Sequence, residues 1–258
     1  MIPYTKLLIA GTGKLAESLA VKLGQQRHLS VLIWGRNPEA VQRICSLSNA
    51  EAATNSLHNP LPVLLCVSDS AICQVAQELS PFATCFVHFS GSLSLEILPS
   101  IEGGKAVCWP IQTFGKPNEI NWSAIPLCTE STGEEAALFL AWMCKILEGP
   151  RIELPEEKRR ALHLAAIVAN NFTNHLMHLS KTYCDRNQIP FEYLMPLLRQ
   201  TVSQLGDNDP NNLQTGPARR DDRETIEKHL AMLQNDPELS EIYRNFSSQI
   251  SQLYNPEK

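Results

Sequence analysis

In LLIAGTGKLAESLAVKL, Leu7–Leu23, an apolar strand runs into a Gly-x-Gly-x-x-Ala turn and then into an amphipathic helix. Glycine spacing alone is a weak signal; it gains weight between a strand and a helix. Gly11 permits the tight turn, Gly13 lets the backbone approach a pyrophosphate, and Ala16 lets helix and strand pack closely. The helix N-terminus then directs N–H groups at an anion. Gly11, Thr12, Gly13, Lys14 and Leu15 are therefore expected to hold a dinucleotide.

Outward from this turn, the segments KLLIA, LSVLIW, PVLLCV, ATCFVHF, KAVCWP and IPLCTE read as strands separated by helix-length stretches. Such alternation predicts an α/β fold with a doubly wound, mostly parallel sheet. After EGPRIELPEEK, helical periods run to the end, so the expected domains are residues 1–153 and 154–258, the second all-helical. The stretch LGDNDPNN, Leu205–Asn212, reads as a polar loop.

The second strand ends in Gly35, Arg36 and Asn37, where an NAD-binding chain would place an acidic residue on the adenosine ribose. A cation suits a 2′-phosphate, so the expected cofactor is NADP, with Arg36 as clamp and Asn37 as a neutral donor. Ser68, Asp69 and Ser70 follow another strand as candidate helix caps, with Val67 and Ser68 lining the cofactor cleft. His88, Ser90 and Gly91 end a further strand. His88 and Ser90 are expected either to meet the nicotinamide or a substrate carbonyl, or, for His88, to bond a neighbouring loop.

The chain has 258 residues, 43% hydrophobic content and a formal net charge of −5. That charge argues against nucleic acid or an anionic membrane as partner, and no run of about 18 apolar residues is present. A cytoplasmic location and a small-molecule substrate follow. The eight cysteines form no CxxC pair and are expected to be reduced and buried, with no metal.

In the helical half, the segment after Arg160 has apolar residues on nearly every side and is expected to be buried all round. His163, Asn170 and Asn174 fall within about 40° of one another on an α-helix at roughly 100° per residue. That polar stripe faces either a ligand or neighbouring backbone. In NLQTGPARRDDRETIEKHL, Asn212–Leu230, Thr215, Gly216 and Pro217 make a turn, and Asp221 with Glu224 fits a capping box. Asp222 and His229 share a helix face and are expected to pair with one another and to hold Arg220, or else Arg220 captures a substrate anion.

Together IAGTGKLA, VSDSAI, HFSGSLSLEIL, PIQTF, LHLAAIVANNFTNHL and TGPARRDDRETIEKHL resemble the NADP oxidoreductases that join a Rossmann-like domain to a helical C-terminal domain of unknown function. The resemblance runs from Lys6 to about Leu233. It implies an architecture similar to pyrroline-5-carboxylate reductase, ketopantoate reductase and the β-hydroxyacid dehydrogenases (a helical domain like that of 6-phosphogluconate dehydrogenase), and a homodimer through that domain. Two positions depart from the family. Trp109 stands where it has His before Pro, and Asp221 where it has Gly between Arg and Asp.

The implied activity is hydride transfer between NADPH and a small C=O or C=N compound. His163 is the expected general acid, since imidazole exchanges protons near neutrality. Asn170 would orient substrate or nicotinamide, and His88 would complete the catalytic set. Ser90, Asn174, Thr215, Arg220 and Asp222 would bind substrate, Arg220 through a carboxylate. Lys158 is the alternative acid. A non-catalytic NADP(H) sensor and a deazaflavin-dependent NADP oxidoreductase are the alternative functions.

Overall fold

The computed structural model describes residues 4–53, 59–206 and 208–256. The chain divides into two compact units, Met1–Ile167 and Val168–Lys258.

The first unit carries a sheet of order β3-β2-β1-β4-β5-β6-β7-β8. Its strands are β1 (Lys6–Ala10), β2 (Ser30–Trp34), β3 (Glu51–Ala52), β4 (Leu61–Leu65), β5 (Ala83–His88), β6 (Lys105–Pro110), β7 (Leu127–Thr132) and β8 (Arg151–Glu153). Every neighbouring pair is parallel except β6 and β7. The six strands expected from sequence are all present. The short β3 and β8 had no signal, because two or three residues cannot show a period of two. Helices α1 (Lys14–Leu23), α2 (Pro38–Leu47) and α4 (Glu134–Leu147) share one apolar cluster with Leu7 and Ile9. The other face, with Leu8 and Ala10, packs α3 (Ile72–Leu79) and the partly buried Leu162 and Ala166 of α5 (Glu156–Ala166). Helices therefore cover both sides, and the alternation along β1 sets which side chain meets which layer.

The change of pattern in the sequence puts α5 in the second domain, beyond residue 153, whereas it packs within the first unit. Leu162 and Ala166 lie against the sheet, and Arg159 is fully buried there.

A π-helical segment, Ile167–Phe172, follows α5. The second unit continues with α6 (Thr173–Arg186), α7 (Met195–Gln204), the short α8 (Pro210–Leu213), α9 (Arg223–Met232) and α10 (Pro237–Tyr254). Part of the expected polar loop at 205–212 is therefore helical: Asp209 caps α8 by accepting from the Asn211 N–H, and Pro210 suits the first helical position. Asp207 lies outside the described residues. The expectation that the segment after Arg160 is buried all round does not hold. Leu164, Val168 and Phe172 are more than half exposed. No helix among the described residues is long and apolar enough to cross a membrane.

Candidate active site in the first unit

Because β1, β2, β4, β5 and β6 run parallel, their carboxyl ends share one edge, and the strand order reverses between β1 and β4. Ligands in open α/β sheets bind at such a switch point. The β1–α1 turn occupies it. Gly11 has φ 135° and donates its N–H to the Trp34 carbonyl at 2.8 Å; a Cβ there would lie 2.1 Å from the Cys66 carbonyl oxygen. Only glycine fits. Gly13, the N-cap of α1, differs: its backbone is extended, no side chain caps the helix, and a Cβ would meet nothing within 4 Å. Open space therefore stands over an uncapped helix N-terminus, which fits a pyrophosphate.

At the end of β2, Gly35 makes room for the Thr12 methyl group, which a Cβ would approach at 2.6 Å. Arg36 is exposed and has no ion-pair partner among the described residues. Asn37 caps α2, its Oδ1 accepting from the N–H groups of Glu39 and Ala40, so its amide NH2 remains the donating half.

The β4 and β5 ends are tied together by Asp69. Its Oδ2 accepts from the Ser90 hydroxyl at 2.8 Å and the Ser92 hydroxyl at 3.0 Å. This corrects the capping role expected for Ser68, Asp69 and Ser70: the Ser68 side chain makes no cap hydrogen bond, and the two serine hydroxyls meet at 3.3 Å. Ser90 Oγ also accepts from the N–H groups of Ser92 and Leu93. Its polar capacity is used inside the loop, and it is 7% exposed, so its expected substrate contact is replaced by a structural one.

His88 is fully buried on β5, between Leu65 and Val107 in register. Its Nδ1 accepts from the Ser90 N–H at 3.2 Å, which leaves the proton of the neutral ring on Nε2. Burial, with the nearby Arg159 guanidinium, pushes its pKa down to about 4. His88 is therefore a neutral strand histidine bonded to its own loop, not a side chain that touches substrate.

Arg159 is the residue that sequence reasoning missed. Its Nη1 donates to the carbonyls of Ser90 (3.3 Å), Gly91 (3.2 Å) and Leu93 (2.8 Å), and its Nη2 to Glu130 Oε2 (3.2 Å). Nothing in the run EEKRR distinguishes the buried arginine from the exposed Arg160 beside it, which pairs with Glu156.

One turn further along α5, His163 packs edge-on against Trp109, ring centroids 5.2 Å apart at 77°. Its Nδ1 is covered and has no hydrogen-bond partner among the described residues; a Cβ on Gly91 would lie 2.6 Å from it and 2.8 Å from the Trp109 ring. The structure thus brings together Gly91, Trp109 and His163. The stripe expected of His163, Asn170 and Asn174 assumes one unbroken α-helix, and the π-helical segment Ile167–Phe172 interrupts it. Asn170 donates to Asn171 Oδ1 at 2.9 Å, and Asn174 is exposed.

In the second unit, Thr215 and Arg220 are exposed. Asp222, not Asp221, caps α9, accepting from the Thr225 N–H (3.1 Å) and hydroxyl (2.8 Å). Those hydrogen bonds hold its carboxyl below the usual range, helped by Arg220. Glu224 pairs with Lys228 at 2.5 Å rather than closing a capping box. The expected Asp222–His229 pair is absent, since His229 Nδ1 meets the Tyr243 hydroxyl at 2.7 Å. Asp221 has φ 54°, in the left-handed region, and accepts at Oδ1 from Arg223 and Ser251. A glycine is the easiest residue to place there, and Asp is among the side chains that tolerate it.

The fold and these sites define a class: a Rossmann-type domain with an open dinucleotide turn, followed by an all-helical unit. The whole chain is similar to a protein from Bacteroides fragilis named as a candidate NADP oxidoreductase, with 30% identity over 98% of this chain and 100% of that one, and a TM-score of 0.86. It therefore belongs to the NADP oxidoreductase family that joins a Rossmann domain to a helical C-terminal domain. Residues 125–250 match the Domain of unknown function (DUF2520). At the level of fold alone, it resembles a reductive aminase from Aspergillus terreus solved with NADPH and ethyl levulinate (13% identity, 98% and 95% of the two chains, TM-score 0.70). It likewise resembles a Plasmodium falciparum pyrroline carboxylate reductase with NADP bound (11% identity, 96% and 98%, TM-score 0.62). No curated protein matches the chain in sequence.

Proposed function

We propose that this protein is an NADPH-dependent reductase of a small C=O or C=N compound. The observation that carries the reading is the open space over Gly13 at an uncapped helix N-terminus. NADPH, when bound, supplies a hydride. The chain's own residues do the rest. N–H groups at the start of α1 receive the pyrophosphate, and Gly13 allows its close approach. Arg36, exposed at the end of β2, binds the 2′-phosphate beside the Asn37 amide, while Val67 and Ser68 wall the cofactor. His163 hydrogen-bonds the substrate oxygen or nitrogen through its ring N–H as the carbon accepts hydride, and solvent supplies the proton. No role in catalysis is assigned to His88, which burial separates from any ligand.

The test combines titration with both reduced cofactors and NADPH oxidation across a panel of keto acids, imines and aldehydes. Tighter binding of NADPH than NADH, with turnover of one panel member, is expected. Tighter NADH binding overturns the cofactor assignment. Binding without turnover across the panel favours an NADP(H) sensor. We further propose a homodimer through the second unit, supported by the exposed Leu197, Val202, Met232 and Leu253 on its helices; the mass of the full chain in solution tests it.

A further inference from the structure

We propose that Arg159 is a positioning residue that, through the loop carrying Gly91, holds the neutral His163 ring as its Nε2–H tautomer, a hydrogen-bond donor at that nitrogen only. The inference rests on the reductase reading for what the Nε2–H group meets, but its geometry stands apart from the cofactor. Arg159 and His163 are four residues apart on α5, hence on one face of the helix. The guanidinium reaches three carbonyls of the Ser90–Leu93 loop and is anchored from β7 by Glu130. The two N–H groups of Nη1 are shared among the three carbonyls while Nη2 holds Glu130 at the same time, and the single nitrogen of an ammonium cannot occupy both places. The loop so held presents Gly91 to His163.

There the ring is closed in. Gly91 lies so near that a single added carbon would sit 2.6 Å from Nδ1, and the Trp109 ring stands edge-on at 5.2 Å. Nδ1 is covered and has no hydrogen-bond partner among the described residues. A neutral imidazole carries one N–H. Placed on Nδ1, that N–H would be buried without an acceptor, at a cost of roughly 1–3 kcal/mol. Placed on Nε2, it leaves only a bare lone pair against Gly91, and buried orphan donors are rarer than under-satisfied acceptors. The ring as a whole is only partly buried, so Nε2 is the nitrogen left to donate a hydrogen bond. Trp109 and Gly91 block the other nitrogen, and Arg159 holds the loop that carries Gly91.

The test uses full-length protein with ring-15N histidine and long-range proton–nitrogen correlation spectra, the His163 resonances being assigned by their loss in His163→Gln. The expected result is a single Nε2–H tautomer for His163 in the wild type; an Nδ1–H tautomer overturns the proposal. In Arg159→Lys, which keeps the charge and loses the fork, the expected result is a mixture of tautomers, and where a substrate is known, a kcat lower by roughly tenfold or more with NADPH affinity unchanged. An unchanged His163 spectrum in that variant overturns the positioning role. Should Arg159→Lys fail to fold, Gly91→Ala replaces it, since its methyl group must displace the ring; retention of the wild-type tautomer there is equally fatal. Full turnover by His163→Gln would remove the donor from the proposed reaction while leaving the spectra to decide the tautomer.

Discussion

The Asp69 carboxylate at the end of β4 receives the Ser90 hydroxyl at 2.8 Å from the end of β5, and so joins two strand ends 21 residues apart in sequence. Ser92 donates to the same oxygen. Asp69→Ala removes the acceptor from both hydroxyls, and its cost is expected to be about 1 kcal/mol, because the carboxylate is exposed and water replaces part of what is lost. Urea unfolding of the variant checks this; an unchanged midpoint would show that the bridge contributes nothing.

The two glycines of the first turn should separate stability from binding. Gly11→Ala pushes a methyl group into the Cys66 carbonyl at a positive φ, so a loss of about 2 kcal/mol or more is expected. Gly13→Ala meets nothing within 4 Å, so it should unfold within about 0.5 kcal/mol of the wild type and still bind NADPH more weakly. Paired melting and cofactor titrations distinguish them. A Gly13→Ala protein that binds as the wild type does would remove the turn from the cofactor site.

Arg36→Ala should weaken NADPH by roughly tenfold or more, the range of a hydrogen bond to a charged group, and leave NADH within about twofold. Equal loss for both cofactors, read by quenching of intrinsic fluorescence, would detach Arg36 from the 2′-phosphate.

His88 predicts acid sensitivity. Burial lowers its pKa to about 4 in the folded chain, against about 6.5 for a free imidazole, so the unfolded state binds the extra proton first. Its contribution is complete above about pH 6.5, falls as pH drops toward 4, and amounts to roughly 3 kcal/mol in all. Unfolding free energies of wild type and His88→Gln across that range should converge in acid; parallel curves would contradict the assignment.

Asp221 tests the left-handed turn before α9. Asp221→Val is expected to cost roughly 1–2 kcal/mol, since a branched side chain at φ 54° crowds the following carbonyl. Asp221→Gly should stay within about 1 kcal/mol of the wild type, trading relief of the turn against the lost Arg223 and Ser251 contacts. Thermal melts of the two variants give the order, and Val equal to Gly would refute the strain.

The β1–α1 turn, six strands and the change to helices past β7 are legible in the chain because they rest on glycine spacing and hydrophobic period, which are local. The cap of α9 is legible only to within one residue: Asp221 and Asp222 are both good caps in letters, and the left-handed backbone at Asp221 hands the role to its neighbour. The polar stripe of His163, Asn170 and Asn174 assumes an α-helical period that the π segment breaks.

Sequence by itself determined the dinucleotide turn and the doubly wound class, because each depends on residues within a few positions of one another. The tertiary structure decided what the charged and polar side chains do. Arg159 is a clamp rather than a solvated cation, and His88 a buried neutral ring, because their environments are built by residues from other strands and loops, in the case of Arg159 by carbonyls 66 to 69 positions away. Burying a charge is costly without partners, and only the packed chain shows that Arg159 has them.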